Sequence, residues 1–457
     1  MRRLIICLTL ILLMTTTAVH AKITLPPMQE VRLSNGLTIQ VIERHNLPLF
    51  SLRLTFRAGS VYDPAGRDGL AGLVSEMLMR GTKNRTDKQI VAEIALGGST
   101  LNVYCDREKA GFSGEFLSDQ GEKGFEILGD IMTNSLFAQE EVEKIKTRIV
   151  AMLQGELEQP AMVANRYFNT TVLGASRYAH EPSGSMAMVN KLTRDDVVDY
   201  FKRHCTPENA VLIVCGDITP QVVEQWAKKY LQEWKGSAGT AASEPAFTPV
   251  TGTEILLLDK SDATQTQIRI GNLGLSRKNP DYIPLEAART IFGGSFTSRL
   301  VNEIRVNRGL SYNVRCTSAR YSPGGVFSVS TFTKNETVGE VVDIIMNESK
   351  RMQTELVPDS ELTGAINYRN GLYPLGFETN ESLADIFASL WLYGEDKTQY
   401  ENFQEQMRQV KPPQVMEVAK KYFPQTDFRL VLVGKADAVK SQVEKFGPVT
   451  VQPIATE

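Results

Sequence analysis

Twenty residues near the middle of the chain read Val197-Val-Asp-Tyr-Phe-Lys-Arg-His-Cys-Thr-Pro-Glu-Asn-Ala-Val-Leu-Ile-Val-Cys-Gly216, the pattern of an amphipathic helix, a turn and a buried strand. The same pattern returns 218 residues later, without a gap, in Val415-Met-Glu-Val-Ala-Lys-Lys-Tyr-Phe-Pro-Gln-Thr-Asp-Phe-Arg-Leu-Val-Leu-Val-Gly434. In both stretches helical periodicity gives way to a β-branched run that ends in glycine. This spacing is too long for a solenoid repeat, so it predicts a duplicated domain.

Other segments repeat at a similar spacing. Residues 51–57 and 267–273 each alternate between apolar and polar side chains, which predicts two half-buried strands. In each half, strands come first, helices follow, and strands return. The predicted fold class is therefore α+β, with two homologous domains that each form a mostly antiparallel sheet covered by helices.

Composition places the domain boundaries. Residues 236–251 form the predicted linker, because they are small, polar and proline-bearing. The first domain is expected at 22–235 and the second at 252–457. The 457 residues carry 50 basic and 53 acidic side chains, a net charge of -3 that argues against a nucleic-acid partner.

Residues 1–21 have the features of a cleavable secretory signal peptide. Two arginines precede an apolar run from Leu4 to Met14, and the segment ends Ala-Val-His-Ala. The run has 11 residues, whereas a membrane span needs about 20. We therefore predict an exported, periplasmic protein without a membrane span in the mature chain; a retained anchor is the alternative.

Four cysteines remain after the signal peptide, and they lie far apart in a long chain: Cys105, Cys205, Cys215 and Cys316. That number is not a disulfide framework, so buried free thiols are expected. Export permits a bridge without requiring one.

The segment Gly69-Leu-Ala-Gly-Leu-Val-Ser-Glu-Met-Leu-Met-Arg-Gly-Thr82, preceded by Ala58-Gly-Ser-Val-Tyr-Asp63, resembles the first signature of the insulinase/pitrilysin metallopeptidase family. In active members this helix carries H-x-x-E-H: the histidines hold zinc, the glutamate polarises water, and a distant glutamate completes the site.

The register of that resemblance places other residue types at the four required positions. Gly72 and Glu76 stand at the histidine positions, Ser75 at the general-base position, and Leu153 at the third-ligand position. The resemblance thus implies a degenerate site without catalytic zinc. An oxygen-ligand site built from Glu76 with Glu141 or Glu143 is the alternative.

The segment Phe292-Gly-Gly-Ser-Phe-Thr-Ser-Arg-Leu-Val-Asn-Glu-Ile-Arg-Val-Asn-Arg-Gly-Leu-Ser-Tyr-Asn-Val314 is similar to the second family signature. There an arginine and a tyrosine seven residues apart face the zinc from the opposite domain, which implies this role for Arg305 and Tyr312. A guanidinium gives charge-assisted hydrogen bonds to carbonyls, and a phenol can donate to an oxyanion. The alternative is a surface charge and a core aromatic residue.

The local pattern around this pair predicts its structure. Residues 298–307 are expected to form a helix with Leu300 and Ile304 buried, and Gly309 to terminate it. Tyr312 is expected to begin the next strand.

Two-chain members of the family, such as the mitochondrial processing peptidase, divide the site between a zinc-bearing chain and a chain with the Arg/Tyr pair. The resemblance therefore implies a non-catalytic subunit, half of a clam-shell chamber, that binds unfolded peptides beside a zinc-bearing homologous partner and is inactive alone. The alternative is a peptide-binding or scaffold protein of the cell envelope. A self-sufficient hydrolase is not favoured, because no G-x-S-x-G elbow and no Cys/His set are present.

Overall fold

The computed structural model describes residues 22–236 and 246–455. The predicted signal peptide (1–21) and most of the predicted linker (236–251) lie outside the described residues. Within the described ranges, no helix combines the length and the apolarity that crossing a membrane demands.

The described residues form two six-stranded sheets. The strands of the first are β1 Gln29–Arg32, β2 Thr38–Glu43, β3 Leu49–Phe56, β4 Thr100–Cys105, β5 Ala110–Leu117 and β6 Ala210–Gly216. The strands of the second are β7 Thr253–Asp259, β8 Gln265–Gly274, β9 Val314–Arg320, β10 Gly325–Lys334, β11 Phe428–Gly434 and β12 Val449–Pro453.

Helices surround both sheets. In the first half they are α1 Leu70–Met77, α2 Asp87–Leu96, α3 Gly121–Asn134, α4 Gln139–Leu157, α5 Pro160–Leu173, α6 Met186–Lys191, α7 Arg194–His204 and α8 Pro220–Tyr230. In the second half they are α9 Tyr282–Arg289, α10 Val338–Thr354, α11 Asp359–Leu372, α12 Asn380–Tyr393, α13 Thr398–Glu401, α14 Phe403–Arg408, α15 Pro412–Tyr422 and α16 Ala436–Val443. Two π-helical segments span Thr290–Gly294 and Val301–Asn307. Short 3-10 helices span Ser60–Tyr62, Arg177–Ala179, Pro207–Asn209, Asn335–Thr337, Tyr373–Phe377 and Glu444–Phe446.

The two sheets have equivalent strand orders, β1-β2-β6-β3-β5-β4 and β12-β7-β11-β8-β10-β9. The pairs β2–β6, β7–β11 and β7–β12 are parallel, and the other pairs within these orders are antiparallel. The α+β prediction is confirmed, although the sheets are mixed. The predicted helix–strand repeat is confirmed as well, by α7–β6 and α15–β11.

Each sheet is covered on one face by helices of its own half and on the other by a helix of the opposite half. Helix α5 of the first half packs Phe168 and Val172 against Leu258 and Val433 of the second sheet. Helix α12 of the second half packs against the first sheet in the equivalent way, through residues such as Phe387. We call α5 and α12 the exchanged helices. This reciprocal burial joins the two halves.

The exchanged helices overturn one expectation from the sequence. Strand β3 was expected to be half-buried, but its polar side chains are buried too, with Ser51 at 3%, Arg53 at 8% and Thr55 at 0% exposure. The reason is that α12 covers this face, where Arg53 Nε lies 2.6 Å from Asp385 Oδ1. The prediction of a half-buried strand was therefore wrong.

The four cysteines outside the predicted signal peptide are free thiols in the structure. Cys205, Cys215 and Cys316 are buried, and Cys105 is partly exposed. Burial raises the pKa of each thiol, which makes the reactive thiolate rare at neutral pH.

Candidate functional site

Helix α1 carries the first family-like signature. Its apolar residues recur at helical spacing, and Leu70, Leu73, Val74 and Met77 are all buried. The buried Asp63 carboxylate accepts hydrogen bonds from the backbone N–H groups of Gly69, 2.9 Å, and Ala71, 2.8 Å. These bonds satisfy N–H groups that a helix leaves unpaired at its start. The flanking segment thus holds α1 in place.

Gly72 lies where the loop after the Arg177–Ala179 turn crosses α1. A Cβ atom built on Gly72 would lie 2.3 Å from the Pro182 carbonyl oxygen, closer than any real side chain tolerates. The position therefore has no room for a histidine. A backbone carbonyl occupies the space that a metal ligand requires.

The other three positions are also unsuited to zinc. Ser75 is buried, with its hydroxyl near the Cys105 thiol. Glu76 forms an ion pair with Arg148, 2.6 Å, and Leu153 belongs to the apolar core of the first half. A serine hydroxyl, an ion-paired glutamate and a leucine do not fit a zinc site.

The oxygen-ligand alternative has no geometric support. Glu141 lies 2.8 Å from Lys144, and Glu143 lies 3.3 Å from Lys146, so both acids are balanced by lysines of their own helix. Within residues 22–236 and 246–455, no group of three or more histidine, cysteine, aspartate or glutamate residues has metal-binding geometry.

The second signature forms a helix followed by a tight reversal. Leu300 and Ile304 are buried, as the periodicity predicts, and the helix is π-helical over Val301–Asn307. Gly309 adopts a left-handed φ of 62°, a conformation that glycine tolerates best. The Leu310 N–H donates to the Ile304 carbonyl at 2.8 Å, which closes the reversal. The predicted helix and its terminator are therefore confirmed.

Tyr312 does not begin a strand, as the sequence had suggested. Strand β9 starts at Val314, because the buried Ser311 hydroxyl donates to the Asn313 carbonyl, 3.0 Å, and holds residues 311–313 in a turn. This turn directs Tyr312 back over the preceding helix rather than into the sheet.

The reversal places Arg305 between two aromatic rings. The guanidinium carbon lies 4.3 Å from the centre of the Tyr312 ring and 4.7 Å from that of Phe296. Both rings are exposed, Tyr312 at 75% and Phe296 at 65%. Within the described residues the guanidinium and the Tyr312 hydroxyl have no ion-pair or hydrogen-bond partner. Cation–π contact thus holds Arg305 while its N–H donors remain available.

Phe296 is the residue of this site that the sequence did not single out. It follows Gly293, Gly294 and Ser295, a turn in which neither helical nor strand periodicity assigns an aromatic side chain to the core. That lack of a packing role was the available signal. By contrast the neighbouring Arg308 pairs with Glu303 and Glu340.

Comparison with known proteins gives the family. The model described as "Insulinase (Peptidase family M16)" matches residues 40–178, and the model described as "Peptidase M16 inactive domain" matches residues 191–368. The two segments together cover more than half of the chain. The chain belongs to the insulinase family.

Several known proteins are similar to it. An "uncharacterized zinc protease" of Rickettsia bellii is 28% identical over 335 residues, 73% of this chain and 80% of that protein. A probable mitochondrial-processing peptidase subunit beta of Arabidopsis thaliana is 24% identical over 421 residues, 90% and 78% of the two chains. A peptidase M16 inactive domain from Pseudomonas fluorescens has the same fold, with a TM-score of 0.83 at 21% identity over 89% of this chain and 98% of that one.

Proposed function

We propose that this chain is the non-catalytic subunit of a periplasmic two-chain zinc peptidase. It binds unfolded peptide and supplies Arg305 and Tyr312 to a zinc-bearing homologous partner. Within the described residues of the first half, the positions predicted for zinc ligands are unsuited to a metal, whereas the second half presents an exposed arginine and tyrosine held side by side. The predicted signal peptide supports the periplasmic part of the proposal.

The observation that carries the proposal is the exposure of the Arg305 cluster, defined as Phe296, Arg305 and Tyr312. Exposure of two aromatic rings to water is normally unfavourable, because the rings give up the free energy that burial would provide. Here the two rings keep a cation in one orientation and leave its donors without partners in the described residues. Such an arrangement is suited to receive a peptide carbonyl from a partner's active site.

In the proposed complex, the partner's metal supplies activated water for attack on the scissile carbonyl. This chain's contribution is binding and orientation. A substrate strand pairs with edge strand β9, which begins just after Tyr312. The Arg305 N–H groups and the Tyr312 hydroxyl donate to the carbonyl oxygen as it gains negative charge.

The test uses the chain co-purified with a zinc-bearing homologue from the same genome and a library of unfolded peptides. Tyr312→Phe and Arg305→Ala should each lower kcat/KM by about 10²–10³-fold, the usual effect of removing one oxyanion donor. Arg308→Ala serves as the matched control, because its ion pairs lie outside the Arg305 cluster.

Two outcomes would contradict the proposal. Peptide cleavage by the isolated chain after chelator treatment would show a catalytic site of its own. The second outcome is unchanged kinetics of the two-chain enzyme when both Arg305 and Tyr312 are substituted. It would favour the scaffold function, in which the chain holds a complex together without taking part in cleavage.

A further inference from the structure

A cavity of about 500 Å³ lies between exchanged helix α5 and strands β8, β9 and β10 of the second sheet. The first half has an equivalent cavity, between exchanged helix α12 and strands β3, β4 and β5, of about 250 Å³. Because the halves are duplicates, the smaller cavity provides an internal reference for the larger one. We call them the second and the first cavity.

Strand register makes the comparison residue by residue. One row across the first sheet joins Arg53, Ser113 and Asn102. The equivalent row across the second sheet joins Arg269, Ser330 and Arg315. Both rows therefore begin with a buried arginine and continue through a serine, and they differ at the edge strand, where arginine stands in place of asparagine.

The next row explains part of the difference in volume. In the first sheet it joins Thr55, Gly111 and Tyr104, and the Tyr104 ring lies 4.9 Å from the Arg53 guanidinium. In the second sheet Thr317 occupies the position of Tyr104. Replacing a phenol ring by a threonine leaves open space beside the buried arginine.

The exchanged helices differ in charge at the same place. In the first half, Arg53 is balanced by Asp385, 2.6 Å, and Glu381, 4.0 Å. In the second half, Arg269 Nε donates to the Asn165 amide oxygen, 2.6 Å, and Nη2 donates to the Ala161 carbonyl, 3.3 Å. Two carboxylates of α12 thus correspond to neutral residues of α5.

Arg269 is 7% exposed. Its Nη1 donates to two strand carbonyls, so the contacts within the described residues use four of its N–H groups and leave one on Nη2 without a partner there. Desolvation lowers the pKa of Arg269 to about 10, so the group stays charged at neutral pH. A buried cation without a counter-charge is unfavourable.

The other charges around the second cavity cancel. Arg107 pairs with Glu181, and Arg166 pairs with Glu156 at 2.9 Å. No ion pair within the described residues involves Arg269 or Arg315. Since these two arginines stand two strand spacings apart, about 10 Å between backbones, one anionic group can contact both.

We propose that the second cavity binds a carboxylate of the substrate peptide. This inference rests on the proposed function and adds a substrate class, peptides with an acidic side chain or a free C-terminus near the bound segment. Strand β9 borders both the cavity and the turn that carries Tyr312, so a peptide paired with this edge passes Arg315. Arg269 lies at the base of the same row and supplies a fixed donor.

The experiment measures fluorescence anisotropy of labelled, unfolded ten-residue peptides with the full-length chain. One peptide contains two glutamates and its matched form contains two glutamines, and each is made with a free and an amidated C-terminus. The glutamate peptide should bind at least about tenfold more tightly than the glutamine peptide, and this difference in affinity should shrink at high salt. The amidated forms show whether the carboxylate comes from a side chain or from the terminus.

Two substitutions remove the excess charge. Asn165→Asp copies the first half's Asp385 and neutralises Arg269, while Arg315→Gln removes the edge cation. Each substitution should lower the affinity for the glutamate peptide by about tenfold and leave the affinity for the glutamine peptide unchanged. Asn165→Asp should maintain or raise the thermal midpoint, since it gives Arg269 the counter-charge that Asp385 gives Arg53. Arg32→Gln, on edge strand β1, is the matched control.

Equal affinity for acidic, neutral and amidated peptides would overturn the inference and leave the proposed function intact. Absence of binding for every peptide would overturn both. An acidic preference that survives both Asn165→Asp and Arg315→Gln would place the carboxylate site elsewhere in the chain.

Discussion

At position 72, helix α1 has no space for a side chain, since a Cβ atom would lie 2.3 Å from the Pro182 carbonyl oxygen. The position predicted for the first zinc ligand therefore lacks a ligand side chain and is also closed by backbone packing. Returning a histidine to this position would not restore the site unless the 181–184 loop also moved.

This packing predicts the effect of a single methyl group. Gly72→Ala should lower the free energy of unfolding by about 1–3 kcal/mol, as overpacking does, measured by urea denaturation. Gly155→Ala is the control: Gly155 is also helical but has no atom within 4 Å of its built Cβ, so alanine there should raise stability by about 0.5–1 kcal/mol. Equal effects of the two changes would mean that Pro182 does not contact α1 in solution.

At the scale of elements, the two exchanged helices organise the molecule. Each is a 14-residue helix whose apolar residues pack on the sheet of the opposite half, while polar residues of the same helix contact the buried strand arginines. In the first half this contact is an ion pair that joins α12 to the sheet. In the second half the arginine has no carboxylate partner, and a positively charged cavity remains.

Substitution of Phe387 tests the packing of α12 on the first sheet, because this side chain is 5% exposed and lies between the helix and the sheet. Phe387→Ala should destabilise the protein by about 3–5 kcal/mol, the combined effect of lost burial and a new cavity. Ser389→Ala on the same helix should change the free energy of unfolding by less than about 0.5 kcal/mol. A small effect at Phe387 would show that α12 is not docked.

At the scale of the whole molecule, the halves meet around Glu108. Its carboxylate accepts hydrogen bonds from the hydroxyls of Tyr178 and Tyr393, both 2.7 Å, and from the Ser322 N–H, 2.9 Å. Two of these donors come from the second half. Neither half alone could therefore bury its apolar sheet face, which an exchanged helix covers, and the first half alone would leave Glu108 without two of its hydrogen-bond donors.

The two halves should therefore unfold together. Scanning calorimetry should show one transition with equal calorimetric and van't Hoff enthalpies, whereas independent domains would give two. Two resolved transitions would contradict the reciprocal burial. Residues 22–236 expressed alone should expose the apolar face that α12 covers, and co-expression with residues 246–457 should restore soluble protein.

Local patterns predicted much of the fold and part of the site. The repeat of α7–β6 as α15–β11 followed from side-chain periodicity, and Gly309 was expected to end its helix, because both depend on neighbours in the chain. The residue types of Gly72 and Leu153 were enough to predict that these positions cannot bind zinc. Arg305 and Tyr312 were paired by spacing, and their functional role remains a prediction.

Long-range packing decided the rest. The alternating pattern of β3 showed which side chains share a face, but it held no information on the distant helix α12 that buries Ser51 and Arg53. The contact of Phe296 with Arg305 and the open space beside Arg269 likewise arise between segments remote in sequence. The sequence by itself thus determined the elements, the duplication and the residue types at the predicted ligand positions. Only the tertiary structure decided which surfaces are covered and which charges are left unbalanced, because burial depends on the element that packs from elsewhere in the chain.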